Sequence, residues 1–156
     1  MSENDQQQEQ LWKIRHSTAH IMAEAVLSRF PGTKIAIGPA IDDGFYYDFD
    51  LPEPLKEEDL KEIEKMMKKL ISGNHSFEKK TVSRDQALKM FSDQPYKLEL
   101  IRELPDGEEI STYTQNTFTD LCRGPHVQKT SDLNAKAFKL LSIAGAYWRG
   151  MKTSRC

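Results

Sequence analysis

The sequence is poor in cysteine and has no long apolar segment. Only two of its 156 residues are cysteines, Cys122 and Cys156, which is too few for the disulfide framework of a small secreted domain. No apolar run approaches the roughly 18 residues that a membrane-spanning helix needs. The first ten residues, MSENDQQQEQ, are polar and acidic, unlike a secretory signal. We therefore expect a cytoplasmic protein with no membrane partner.

The sequence also lacks an excess of positive charge. Its formal net charge is −2, which argues against a protein that grips long stretches of nucleic acid through their phosphates. A partner recognised at one end by a shaped pocket remains compatible with this charge. The chain shows no internal repeat, no low-complexity tract and no second domain boundary, so its length suits one domain with a real core.

The hydrophobic pattern predicts an α+β fold, in which an antiparallel sheet packs on a long central helix. We expect a disordered lead-in over residues 1–9, the domain over residues 10–150 and a tail over residues 151–156. The long helix is predicted over residues 10–30, ended by Pro31-Gly32. Apolar side chains occur on both of its faces, which is typical of a buried helix.

The remaining pattern predicts shorter helices and several strands. A second helix over residues 56–72 has a core-facing stripe of Leu60, Ile63, Met67 and Leu70. A capping box at residues 83–86 begins a short helix, and Asp93 with Pro95 begins another that reaches residue 103. Strands are predicted over residues 34–37, 45–49, 77–82, 109–114, 117–121 and 137–143.

Two pairs of rare residues share the same spacing. Three of the four histidines and one of the two cysteines form His16/His20 and Cys122/His126. Imidazoles and a thiol bind zinc-like metals, activate water, or do both. Because the pairs are about a hundred positions apart, only the fold can bring them together, and we predict that they mark one site.

Each pair alone has an ordinary structural explanation. Histidines four residues apart on a helix often occur by accident, and the second pair can be a buried cysteine with a surface histidine. The shared site is favoured because the helix face that carries His16 and His20 is otherwise uncharged. The small Ala19 and Ala23 beside them would leave space for a ligand.

Several motifs, taken together, resemble the editing domain of bacterial-type threonyl-tRNA synthetase. This domain belongs to a family shared with the editing domain of alanyl-tRNA synthetase and with free-standing alanyl-tRNA deacylases. The resemblance covers residues 12–150 and rests on RHSTAH at 15–20, AIGP at 36–39, GFYYD at 44–48, Tyr96-Lys97, Tyr113, DLCRGPH at 120–126 and GAYWRG at 145–150.

The resemblance implies an enzyme that hydrolyses serine mistakenly attached to threonine tRNA. It implies catalytic roles for His16, His20, Lys97, Asp120, Cys122 and His126. It places Tyr47 and Tyr113 near the substrate, although each is also a plausible core aromatic, and Arg123 either pairs with a phosphate of the tRNA acceptor end or holds the adjacent turn. The implied partners are the acceptor end of tRNA(Thr) with its seryl group and, for a fragment, the remainder of a threonyl-tRNA synthetase.

The resemblance also bears on metal. In the alanyl branch of the family, a His/His/Cys/His set holds zinc, whereas the threonyl branch is understood to work without it. We expect that no cofactor is required, although His16, His20, Cys122 and His126 could hold zinc. Two alternatives stay open, a zinc-dependent deacylase of the alanyl type and a non-catalytic tRNA-binding remnant.

Overall fold

The computed structural model describes residues 2–41 and 44–135, together with the backbone of two strands at 144–148 and 151–155. Within these ranges the α-helices are α1 (Glu3–Arg29), α2 (Glu57–Ser72), α3 (Arg84–Met90) and α4 (Pro95–Glu103). The strands are β1 (Lys34–Ile35), β2 (Ala40–Ile41), β3 (Gly44–Phe45), β4 (Asp48–Asp50), β5 (Glu78–Val82), β6 (Ile110–Gln115), β7 (Phe118–Leu121), β8 (Ala144–Trp148) and β9 (Met151–Arg155). The predicted α+β class is confirmed.

The described strands form three antiparallel sheets. The first has the order β1-β4-β9-β8, the second is the β2-β3 hairpin, and the third has the order β5-β6-β7. The strand predicted over residues 45–49 is divided, because β3 and β4 pair with different partners. The strand predicted over residues 137–143 lies outside the described residues.

The prediction of a tail over residues 151–156 is wrong for residues 151–155. These residues form β9, which pairs with β4 and β8 in the first sheet. Asp48 lies opposite Arg155 in this pairing. The pairing joins segments about a hundred positions apart, so the local sequence carries no signal of it.

Helix α1 begins earlier than predicted. Ser2 and Asp5 form a capping box, in which the Ser2 hydroxyl accepts from the Asp5 backbone N–H at 3.2 Å and the Asp5 carboxylate accepts from the Ser2 N–H at 3.4 Å. These bonds satisfy two donors that a helix start leaves free. The prediction of a disordered lead-in is therefore wrong, since residues 3–9 are helical.

The central part of α1 lies inside the molecule, as predicted. Every residue from His16 to Val26 is buried, and Met22 packs in one core with Phe49 and Met67. On α2 the predicted stripe is confirmed at Leu60, Ile63 and Met67, while Ile71 rather than Leu70 is the fourth buried position. Among the described residues, no helix combines the length and the hydropathy that a membrane crossing requires.

Helix α4 is held against the first sheet by its N-cap residue. Pro95 is the first helical residue, where its missing N–H costs nothing. Gln94, rather than the predicted Asp93, precedes it, and its side-chain oxygen accepts from the Ile35 N–H at 2.8 Å. This contact fixes the first turn of α4, which carries Lys97. The predicted capping box at Ser83 and Gln86 is confirmed at the start of α3.

Candidate functional site

The two sequence pairs meet in one cluster. His16 and His20 come from the middle of α1, and Cys122 and His126 come from the segment that follows β7. One candidate ligand atom from each of the four side chains lies within 4.8 Å of the other three. The predicted convergence is confirmed, because the segment after β7 crosses the histidine-bearing face of α1.

Backbone contacts orient the first histidine. The Pro125 carbonyl can only accept a hydrogen bond, so Nδ1 of His16 donates to it at 3.3 Å. The other ring nitrogen of His16, Nε2, then carries a lone pair and lies 3.5 Å from Cys122 Sγ. A backbone carbonyl thereby selects the tautomer of His16.

Ser17 holds His126 and the segment after β7 that carries it. Its hydroxyl accepts from the Val127 N–H at 3.1 Å and bonds Nδ1 of His126 at 2.9 Å. Nε2 of His126 lies 3.2 Å from Cys122 Sγ. Ser17 is completely buried, and no sequence motif marked it as part of the site. The available signal was a small polar residue inside an otherwise apolar, buried part of a helix.

A buried ion pair lies beside the cluster. The ammonium of Lys97 is 2.7 Å from Oδ1 of Asp120, and both side chains are only 3% exposed. The Tyr47 hydroxyl donates to Oδ2 of Asp120 at 2.5 Å, and Nε2 of His20 lies 3.5 Å from the same oxygen. Lys97 from α4, Asp120 from β7 and Tyr47 from the link between β3 and β4 therefore adjoin the histidines.

Burial keeps the histidines neutral. Desolvation lowers the pKa of His16, although the Pro125 carbonyl and Asp120 oppose the shift. Desolvation, reinforced by His16 and Lys97, lowers the pKa of His20 well below its ordinary value, and desolvation likewise lowers the pKa of His126. Near pH 7 these imidazoles are uncharged, and their lowered pKa values make them weaker bases than a free imidazole.

The cysteine is a thiol rather than a thiolate in this environment. Desolvation raises the pKa of Cys122 to about 12, and Asp120 adds to the shift, although the Gly124 N–H and Lys97 oppose it. A thiol is a poor nucleophile compared with a thiolate. Near pH 7 the cluster thus combines neutral imidazoles and a thiol with the buried Lys97–Asp120 pair.

The structure separates the two remaining candidates. The Tyr113 ring lies edge-on to His126, with ring centroids 4.5 Å apart, and packs against Gly124. Arg123 is 70% exposed and pairs with Glu108, so it lies outside the cluster. Both predictions for Arg123, pairing with a phosphate and holding the adjacent turn, stay predictions.

The cluster has the donor set of a zinc site. Zinc bonds of about 2.0–2.3 Å at tetrahedral angles place neighbouring ligand atoms about 3.3–3.8 Å apart. The distances from Cys122 Sγ to His16 Nε2 and His126 Nε2, 3.5 and 3.2 Å, are close to this range. Nδ1 of His16 and Nδ1 of His126, the ring nitrogens that do not contact Cys122, already have hydrogen-bond partners. Metal-binding histidines usually have such partners on the second ring nitrogen. Nδ1 of His20 is buried and has no hydrogen-bond partner among the described residues.

Comparison with known proteins identifies relatives of the chain. A family model described as the threonyl and alanyl tRNA synthetase second additional domain matches residues 110–155. The threonine–tRNA ligase of Dehalococcoides mccartyi (strain 195) is 63% identical over 137 residues, which cover 88% of this chain and 23% of that protein. The threonine–tRNA ligase of Borrelia turicatae is 53% identical over 150 residues, which cover 96% of this chain and 26% of that protein.

The chain thus spans about a quarter of the length of these relatives. The two relatives align over 88% and 96% of the chain. The family match over residues 110–155 and the threonine–tRNA ligase relatives, which cover most of this chain, support its being an editing-region domain of a threonyl-tRNA synthetase.

Proposed function

We propose that this domain hydrolyses the ester of mischarged Ser-tRNA(Thr). The observation that carries the proposal is the buried Lys97–Asp120 pair, 2.7 Å apart, beside three neutral imidazoles. The partner is the acceptor end of the tRNA, and the remainder of a threonyl-tRNA synthetase is its structural context.

Each chemical requirement of ester hydrolysis has a candidate group in the cluster. The reaction needs a positioned water, stabilisation of the negative tetrahedral intermediate and a proton for the leaving ribose oxygen. One of the neutral imidazoles of His16, His20 and His126 accepts the proton that the attacking water releases, and the same proton is then given to the leaving ribose oxygen. The ammonium of Lys97 stabilises the developing negative charge.

Asp120 and Tyr47 organise the charged half of the cluster. Asp120 fixes Lys97 through its ion pair, and its second oxygen accepts from the Tyr47 hydroxyl. Because both of its oxygens already have partners, Asp120 is better placed to orient the His20 imidazole, 3.5 Å from Oδ2, than to bind the ammonium of the seryl group. Cys122, with its raised pKa, contributes as a neutral side chain that lines the site, since covalent catalysis would require a thiolate.

Selectivity for serine over threonine follows from exclusion. One methyl group in a pocket is worth only about 1–3 kcal/mol by favourable contact, so a synthetic site built for threonine cannot easily reject the smaller serine. A tight editing site has the opposite selectivity, because it admits serine and excludes threonine by a clash with the additional methyl group.

We further propose that the reaction needs no bound metal. The Lys97 ammonium already supplies a positive charge beside the imidazoles. A metal held by all four side chains would have a closed tetrahedral shell, with no open position for a water unless the shell expands. The spacing of the four ligand atoms supports the alternative, an alanyl-type deacylase that releases serine or glycine from alanine tRNA. In that case the four side chains would hold zinc, which supplies Lewis acidity.

One assay tests these proposals together. Release of serine from Ser-tRNA(Thr) is measured with and without chelator, and Thr-tRNA(Thr) and Ser-tRNA(Ala) serve as comparison substrates. We expect chelator-resistant release that is far faster from Ser-tRNA(Thr), at high protein concentration because the net charge of −2 favours weak binding. Loss of activity to chelator with recovery on zinc addition would establish the alanyl-type mechanism. Saturable binding of tRNA without release of any amino acid would establish the non-catalytic remnant.

A further inference from the structure

A series of ring contacts leads from the core through the cluster to the surface. The Phe77 ring stacks on His126 at a centroid distance of 5.2 Å, and His126 stacks on His16 at 4.2 Å. Trp12, one helical turn before His16 on α1, lies against the His16 ring at 4.6 Å. Phe77 and the two histidines are each 9% exposed, whereas Trp12 is 37% exposed.

The exposed indole is not needed to complete the core. Among the described residues, the hydrophobic core begins along α1 at Ile14 and does not include Trp12. Exposure of so large an apolar ring forgoes the favourable free energy of its burial. The ring is nevertheless positioned, since one of its contacts is with a histidine of the site.

We propose that the exposed part of Trp12 stacks on the terminal adenine of the tRNA whose ester the site cleaves. This inference rests on the proposed function, because the ester is carried by the ribose of that same nucleotide. When the acyl group lies among the histidines and Lys97, the base must lie within one nucleoside of them. Trp12 presents an aromatic surface beside His16 at this distance.

The chemistry of single-stranded recognition favours this occupant. An aromatic side chain binds a base through its π-face without needing positive charge. The chain has a net charge of −2. It therefore lacks the excess of basic side chains by which nucleic-acid-binding domains attract phosphates. A stacking contact at Trp12, beside His16, therefore contributes affinity where the acceptor strand ends.

Fluorescence tests the contact without relying on catalysis. Trp12 and Trp148 are the only tryptophans, so Trp148→Phe leaves Trp12 as the sole reporter, with folding checked by circular dichroism. The probe is 3′-seryl-amino-3′-deoxyadenosine, a stable amide analogue of the charged terminal nucleoside. We expect a saturable change in Trp12 emission. The matched control is the same seryl-amino ribose without its base, and we expect no change with it. Equal responses to both probes, or no response to either, would overturn the proposal.

Kinetics then separate base stacking from positioning of His16. We expect Trp12→Ala to raise KM for Ser-tRNA(Thr) about 5- to 150-fold, the range typical of one stacked base, with kcat retained. Trp12→Phe, which keeps a ring, should stay within about 3-fold of the wild type by the same principle. Leu11→Ala is the control at a neighbouring exposed apolar residue.

Two results for Trp12→Ala would overturn the stacking proposal. A fall in kcat without a change in KM would assign Trp12 to positioning His16, and wild-type kinetics would show that Trp12 contributes nothing. A wild-type protein that releases no serine would contradict the proposed function, and the fluorescence result would still decide the stacking proposal.

Discussion

The ammonium of Lys97 is almost completely buried, which is costly for a charged group unless an opposite charge accompanies it. Asp120 supplies that charge at 2.7 Å. We expect Lys97→Met, which keeps the length of the side chain but removes the charge, to lower serine release about 10- to 1000-fold. Lys68→Met, on the exposed side of α2, is the control and should retain full activity.

The same substitution leaves Asp120 buried without its cation, so stability must be measured beside activity. Loss of one partner of a buried pair costs about 3–5 kcal/mol. The double variant Lys97→Met/Asp120→Asn removes both charges and should recover much of the stability, as followed by denaturant unfolding. If the double variant also recovered the activity, Lys97 would have no role in stabilising charge.

Gly38 is required by the position of Tyr47. A Cβ atom at position 38 would overlap the Tyr47 ring, whereas one at Gly44 would meet no atom within 4 Å. We expect Gly38→Ala to lower the free energy of unfolding by about 1–3 kcal/mol through overpacking. Because Tyr47 would move from Asp120, serine release should also fall. Gly44→Ala should change the free energy of unfolding by less than about 0.5 kcal/mol. Similar losses in the two variants would contradict the steric explanation.

At the scale of elements, the site depends on how the segment after β7 is fastened to α1. The Ser17 hydroxyl bonds both the Val127 N–H and Nδ1 of His126. We expect Ser17→Ala to cost about 1–3 kcal/mol in the free energy of unfolding, since it leaves buried polar groups unpaired. Serine release should fall as well, because His126 loses its orientation. Ser28→Ala, at an exposed position of the same helix, should leave both quantities unchanged. Unaltered activity in Ser17→Ala would show that the Pro125 and Cys122 contacts suffice.

At the scale of the whole molecule, three buried histidines make stability depend on pH. Their pKa values are lowered in the folded state, so below the unfolded pKa of about 6.5 the unfolded chain binds more protons. Stability is therefore fully present above pH 6.5 and is lost as the pH falls below it. Each histidine that stays neutral contributes a slope of up to about 1.4 kcal/mol per pH unit.

One acidic group opposes this dependence over part of the range. Burial raises the pKa of Glu24, although bonds from Asn116 and Gln115 limit the shift, so Glu24 favours the folded state as the pH falls toward 4.5. One carboxyl against three histidines leaves a net loss. Urea unfolding of chelator-treated protein between pH 7.5 and 5 should show declining stability, with a shallower slope in His20→Gln. A flat profile would contradict the burial of neutral imidazoles.

Local patterns were sufficient for the elements that end or begin at strong signals. The capping box at Ser83, the stop at Pro31-Gly32 and the amphipathic period of α2 depend on neighbours in sequence, and the element ends predicted from these signals agree with the structure to within a few residues. The capping box at Ser2 was equally local and was overlooked because the lead-in is polar. The matched spacing of two rare pairs was enough to predict that His16, His20, Cys122 and His126 meet.

Contacts between distant segments were beyond the reach of the sequence. The pairing of β9 with β4, the division of the strands among three sheets and the role of Ser17 depend on which segments pack together. In the site, too, some features follow from the residue types and others only from the tertiary structure. Residue types alone indicated proton transfer and metal binding, whereas the tertiary structure buried Lys97 against Asp120, paired Arg123 with Glu108 and exposed Trp12 beside His16. The physical reason is that burial and the field of neighbouring charges set the protonation state of a side chain, and both arise only when the chain is folded.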